Sequence, residues 1–193
     1  MNINIERIAG NWDLGYSLDK HVLRSIPIGE NQQGYMQFDT TRSEVGESLF
    51  KVKYRADYSQ IPLIAKQLYD SCRHLFSNVD VIIPMPPSKS RNRQPVVEIA
   101  QELARLTNTF YTAGLLVKTT PTPSMKDLGT REEKITALTQ AFTAYDVLNN
   151  PNNDVLIIDD LFDTGSSLEA ATAKLRHYNK IKNIYVLTVT RKR

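Results

Sequence analysis

The sequence predicts an α/β domain built on a central, mainly parallel sheet flanked by helices. Three observations carry that reading. Two short apolar runs, Val79 to Pro84 and Val155 to Ile158, are each followed by a polar turn and then by apolar residues at helical spacing. The second run is unbroken by polar residues, which is the pattern of a strand buried on both faces, as in a parallel sheet. A third strand, Ile184 to Val189, follows the last helix, so strands and helices alternate along the chain.

The whole chain bounds the answer further. At 193 residues it is long enough for one well-buried domain. Its composition, 41% hydrophobic and 23% charged, is that of an ordinary globular protein. A formal charge of +3 is too small to argue for nucleic-acid binding by itself, and Arg191-Lys192-Arg193 reads as a solvated tail in preference to a contact patch. The single cysteine, Cys72, excludes an internal disulfide and a cysteine-rich zinc site, and fits a reducing compartment. The start, Met1-Asn2-Ile3-Asn4-Ile5, shows no targeting signal, and no apolar run approaches the roughly 18 residues of a membrane helix. The expectation is a cytoplasmic protein without a membrane partner.

Taken in order, the first fifty residues are the least legible. Trp12 to Leu18 and Gly34 to Asp39 read as short strands around a Pro/Gly/Asn-rich connection, Ile26 to Gly34. Trp12 reads as a core or lid residue. Ser48 to Tyr54, where apolar residues alternate with polar ones, fits a strand or a short helix, and the helix is preferred. From Ser59 the pattern clears: Ile61, Ile64, Ala65, Leu68, Tyr69, Cys72 and Leu75 share one helical face, with Pro62 in the first turn. Cys72 inside that stripe is a buried small hydrophobe rather than a nucleophile, and His74 has no partner nearby in sequence. After the strand to Pro84 comes a stiff basic loop, Met85 to Arg93, then a helix from Pro95 to Leu106.

Leu115 to Lys118 reads as another strand. The stretch Thr119 to Thr130 is rich in Thr, Pro, Ser and Gly, and a loop of about a dozen residues in a compact domain is usually functional. Lys118 and Lys126 make it a candidate lid over something anionic. Arg131 to Ala141 returns to helix, and Asn149 to Asn153 is a turn.

The motif that organises the chain is Val155-Leu156-Ile157-Ile158-Asp159-Asp160-Leu161-Phe162-Asp163-Thr164-Gly165-Ser166-Ser167. It reads as a strand, an acidic turn and a hydroxyl-rich loop whose serine or threonine caps the helix Ser166 to Arg176. The free N–H groups of a helix N-terminus attract anions, phosphate above all. Ligands of open parallel sheets bind beyond the carboxyl ends of the strands. The two loops there are complementary: carboxylates and hydroxyls after Ile158, and Ser88, Lys89, Arg91 and Arg93 after Ile83. One ligand touching both carries a phosphate for Thr164–Ser167, vicinal hydroxyls for Asp159 and Asp160, and further negative charge for Ser88 and Lys89. Magnesium suits so oxygen-rich an arrangement. Leu161 to Ser167 alone resembles the catalytic turn of aspartic proteases, but that chemistry needs two such aspartates in an all-β frame. An ordinary strand-to-helix turn is disfavoured by three acids in five positions.

The same motif resembles the phosphoribosyl pyrophosphate signature of type I phosphoribosyltransferases, glycosyltransferases of nucleotide metabolism. The Pro84-Met85-Pro86-Pro87 loop, the Gln94–Ala104 helix and the Lys118-to-Arg131 segment resemble its ComF branch. The resemblance covers roughly residues 50–193. It implies the type I fold, with residues 1–50 as a small N-terminal hood and 51–193 as the core. It implies that Asp159 and Asp160 hold the ribose hydroxyls, directly or through magnesium, and that Asp163 stands where the family has its general base. Thr164, Gly165, Ser166 and Ser167 would wrap the 5′-phosphate. Ser88 and Lys89 fall on the pyrophosphate loop, and Lys118 and Lys126 on the flexible catalytic loop, Lys126 in a catalytic role. Two departures stand out: many ComF relatives begin with a cysteine-rich zinc module that this chain cannot build, and Pro-Pro-Ser-Lys is an unusual pyrophosphate loop. Two functions follow as expectations. One is transfer of ribose 5-phosphate to an unidentified, nitrogen acceptor. The other is a non-catalytic binding protein acting through single-stranded DNA or a DNA-processing partner. A homodimer is among the assemblies allowed.

Overall fold

A computed structural model describes residues 1–76, 78–88, 92–122 and 129–192. In chain order its elements are β1 (Glu6–Arg7), β2 (Leu14–Lys20), β3 (Val22–Glu30), β4 (Met36–Arg42), α1 (Glu44–Arg55), α2 (Gln60–Cys72), β5 (Val81–Pro84), α3 (Pro95–Thr107), β6 (Phe110–Tyr111), β7 (Leu116–Lys118), α4 (Arg131–Ala141), β8 (Phe142–Ala144), β9 (Asn153–Phe162), α5 (Ser166–Arg176) and β10 (Ile181–Arg191).

The described residues form a six-stranded sheet in the order β1-β2-β10-β9-β5-β6, parallel except for the β1–β2 edge, and two small antiparallel ribbons, β3–β4 and β7–β8. Alternation along the central strands divides the core. Val155, Ile157, Ile184 and Val186 pack beneath Leu168, Ala171 and Leu175 of α5 and Leu138 of α4. Leu156, Ile158, Leu187 and Val189 pack on the opposite face, against Leu49 and Val52 of α1, Ile64 and Leu68 of α2, and Ile99 and Leu103 of α3. This is the mixed α/β architecture that the unbroken apolar runs predict.

Helix α1 confirms the helical reading of Ser48 to Tyr54 and extends it back to Glu44. Ser43 caps it by accepting from Gly46 N, acids Glu44 and Glu47 sit in the first turn, and Lys53 and Arg55 in the last, all favourable to the helix dipole. Gly46 is required by contact: a Cβ there would lie 2.3 Å from the His21 carbonyl oxygen. Cys72 is buried in α2 as expected, and burial pushes its thiol up to about 12.

Three readings change, and the N-terminal stretch divides between two sheets. The Ile26–Gly34 stretch is strand through Glu30: Pro27 and Gly29 bracket a register shift rather than end the strand, and the turn is only Asn31 to Tyr35. The Leu116–Lys118 strand pairs with β8 in a ribbon outside the main sheet. Within the stretch assigned to the hood, β1 and β2 join the main sheet, and β3–β4 alone forms a separate ribbon. Finally, Arg191 is not part of a solvated tail, because β10 runs to it and its side chain is buried, bonds to the Asn4 carbonyl at 2.9 Å and pairs with Glu6 at 2.7 Å, whereas Lys192 is exposed. No helix among the described residues is long and apolar enough to cross a membrane.

Candidate functional site

The cleft exists because two neighbouring strands stop at different places. β5 pairs with β9 only as far as Pro84 opposite Ile158, and Met85 N donates the last bond, to the Ile158 carbonyl, at 2.8 Å. Pro86 and Pro87 then follow, and neither has an N–H to continue the ladder. β9 runs on through Asp159, Asp160, Leu161 and Phe162, held by β10 alone as far as Arg191 opposite Phe162. The overhang opens a cleft of about 240 Å³ whose lining includes Asp159, Asp160, Ser167, Pro86, Pro87, Ser88 and Lys53.

Asp159 and Asp160 therefore belong to the strand, not to a turn, and both line the cleft. Asp159 Oδ1 accepts the Asp160 N–H at 2.8 Å. Burial, then the neighbouring Asp160 carboxylate, raises the Asp159 carboxyl well above the usual range, to about 8, against the pull of that N–H and of Lys53. Asp160 is paired with Lys53 Nζ at 2.8 Å, an ion pair with both side chains about one-fifth exposed. Thr190 Oγ1 donates to the Asp160 carbonyl at 2.9 Å and lies 3.3 Å from His21 Nδ1.

The turn after β9 is built on Gly165, at φ +79°, a left-handed conformation that costs other residues dearly. A Cβ there would meet the Phe162 ring at 3.0 Å, and Phe162 in turn meets Trp12 edge to face. Trp12 is thus a core residue behind the turn. Gly165 is also the N-cap of α5, so the expected hydroxyl cap is not formed: Thr164 Oγ1 lies 3.1 Å from Ser166 Oγ and 3.5 Å from Ser166 N. A glycine cap has no side chain to occupy the first-turn N–H groups, which suits an anion. Arg131, at the start of α4, pairs with Glu169 at 2.7 Å and reaches the Thr164 carbonyl, bracing the turn from the other side.

Of the residues singled out from sequence, Asp159, Asp160, Ser167 and Ser88 meet in the cleft, and Thr164, Gly165 and Ser166 form the turn that leads into it. Asp163 is exposed on that turn and pairs with Lys192 at 3.0 Å. Lys118 is not among the lining residues, and bonds to Thr122 Oγ1 at 2.9 Å. Lys89 and Lys126 lie outside the described residues. Sequence reasoning missed Lys53, Lys192 and Arg131, each joined to the motif across a large separation in the chain. The local signal for Lys53 was its place four residues after Leu49 and one after Val52, next to the buried face of α1.

No family model matches this chain, and no curated protein matches it. Solved structures do. Adenine phosphoribosyltransferase from Leishmania tarentolae aligns over 98% of this chain and 95% of its own, at a TM-score of 0.50 and 11% identity. Orotate phosphoribosyltransferase from Aeropyrum pernix aligns over 86% and 74%, at 0.45 and 14%. The chain covers only 26% of the Leishmania donovani UMP synthase it also resembles, at 0.41 and 19%. The fold is that of type I phosphoribosyltransferases.

Proposed function

We propose that the chain binds phosphoribosyl pyrophosphate in this cleft and transfers its ribose 5-phosphate to a nitrogen nucleophile, releasing pyrophosphate. The observation that carries the reading is the β9 overhang. It sets two carboxylates beside an uncapped helix N-terminus, facing Ser88 across one cleft. Vicinal hydroxyls of the sugar would donate to Asp159 and Asp160, and the 5′-phosphate would accept from the Thr164–Ser167 turn. Asp163, exposed on the turn after β9 and paired with Lys192, would take a proton from the acceptor once that pair opens.

Among the described residues no group of three acids, histidines or cysteines could hold a metal ion alone. The two carboxylates fit magnesium that arrives on the pyrophosphate oxygens. Asp159 and Asp160 would hold it, directly or through water, and it would neutralise charge on the departing group.

One observation favours the second reading, a ComF-like protein that holds the ligand and acts through single-stranded DNA or a DNA-processing partner. Both Asp160 and Asp163 are already paired, with Lys53 and Lys192. Calorimetric titration with phosphoribosyl pyrophosphate, with and without magnesium, tests what the two share. The proposal expects saturable binding and pyrophosphate release with at least one base or amine. Absence of binding contradicts both readings. Binding without release, joined to salt-sensitive capture of single-stranded DNA, selects the second.

A further inference from the structure

Lys53 belongs to none of the motifs that define the cleft, yet it closes one side of it. It comes from the last turn of α1, and its ammonium meets Asp160 near the end of β9. Among the described residues lining the cleft it is the one Lys, Arg or His side chain, against two carboxylates. Two basic groups near it are occupied or uncharged. Arg42 lies 3.8 Å from the Phe50 ring centre and pairs with Glu47 at 3.4 Å, and burial, with Arg42 and Lys53 nearby, favours neutral His21. A pyrophosphate brought against Asp159 and Asp160 needs a cation within reach, and a tethered ammonium at 2.8 Å from Asp160 is so placed.

We propose that Lys53 is a ligand-binding residue that exchanges partners. It holds Asp160 in the structure, and it turns to the pyrophosphate oxygens when the sugar hydroxyls take over the Asp160 carboxylate. The exchange keeps Asp160 compensated throughout, which matters because a half-buried carboxylate left alone is costly. This inference rests on the reading of the cleft as a site for a pyrophosphorylated sugar.

The test compares phosphoribosyl pyrophosphate with ribose 5-phosphate, which lacks the pyrophosphate, by calorimetry on wild type, Lys53→Met and Lys53→Arg. The expected result is a loss of about tenfold or more for phosphoribosyl pyrophosphate in Lys53→Met, on the scale of one charge-assisted hydrogen bond. Ribose 5-phosphate should hardly change, and Lys53→Arg should recover most of the loss. Equal losses for the two ligands, or none for either, overturn the inference and make Lys53 a structural counter-ion. Wild type binding neither ligand overturns instead the reading of the cleft. If Lys53→Met does not fold, Lys53→Met/Asp160→Asn is compared with Asp160→Asn. The same selective loss must then appear between those two, and its absence overturns the inference.

Discussion

The two strand–turn–helix units that face each other across the cleft share a topology and differ in what holds their turns. The β9–α5 turn is fixed by packing. Phe162 and Trp12 fill the space behind Gly165, Arg131 ties it to α4, and Asn11 Nδ2 donates to the Glu169 carbonyl from the N-terminal side. The described start of the β5–α3 turn, Met85 to Ser88, is stiffened covalently instead. Pro86 and Pro87 end the ladder, Pro95 opens the helix, and Pro87 and Ser88 are exposed. Arg93, paired with Glu98 and lying 3.7 Å from the Tyr58 ring centre, anchors the far end. A site assembled this way has one half held by packing and one half whose described residues, Pro86 to Ser88, owe their course to proline.

The largest expected effect breaks the first half chemically. Asp160→Asn should weaken phosphoribosyl pyrophosphate by about 2 kcal/mol, roughly thirtyfold, since the site loses a charged acceptor. Asp163→Asn, on the exposed rim, should leave binding intact and lower turnover. Calorimetry and pyrophosphate release on both variants check this, and equal loss of binding in the two would erase the division of roles.

Gly165→Val breaks the same half sterically. Its φ of +79° and the Phe162 ring 3.0 Å away leave no place for a branched side chain. A loss of about 2 kcal/mol is expected in urea unfolding. A fall below about 0.5 kcal/mol would show that the turn relaxes and is not clamped.

The raised Asp159 carboxyl sharpens the comparison through pH. Between the ordinary carboxylate range and about 8, the folded chain keeps a proton that the unfolded chain has lost. Stability is therefore fullest at low pH in that window and falls as pH rises through it, by at most about 1.4 kcal/mol per pH unit. Asp159→Asn should flatten that slope in urea midpoints. An unchanged slope would place the proton elsewhere.

The smallest effect is on the second half. Pro86→Ala/Pro87→Ala should change stability by less than about 1 kcal/mol. It should nevertheless speed hydrogen exchange at Met85 and Ser88, because proline stiffness has been removed. Unchanged exchange would mean that packing, not proline, holds that wall.

The central strands and the helices between them were legible because burial on both faces writes itself as unbroken apolar sequence. The phosphate-turn motif was legible because it is continuous in the chain. What escaped is non-local. The pairing of β2 beside β10, the burial of Arg191 and the reach of Lys53 to Asp160 each join segments more than a hundred residues apart, with no local pattern to announce them. The expected hydroxyl cap of α5 failed for a different reason: Gly165 takes a left-handed conformation that hydroxyl-bearing residues resist, and so takes the cap position itself.

The claim at the centre is that both turns contact one ligand. Hydrogen exchange with and without phosphoribosyl pyrophosphate measures it directly. The account predicts slowed exchange at Thr164 to Leu168 and at Met85 and Ser88 together, with the exposed β3–β4 ribbon unchanged. Protection confined to one of the two turns, or to neither, would contradict it.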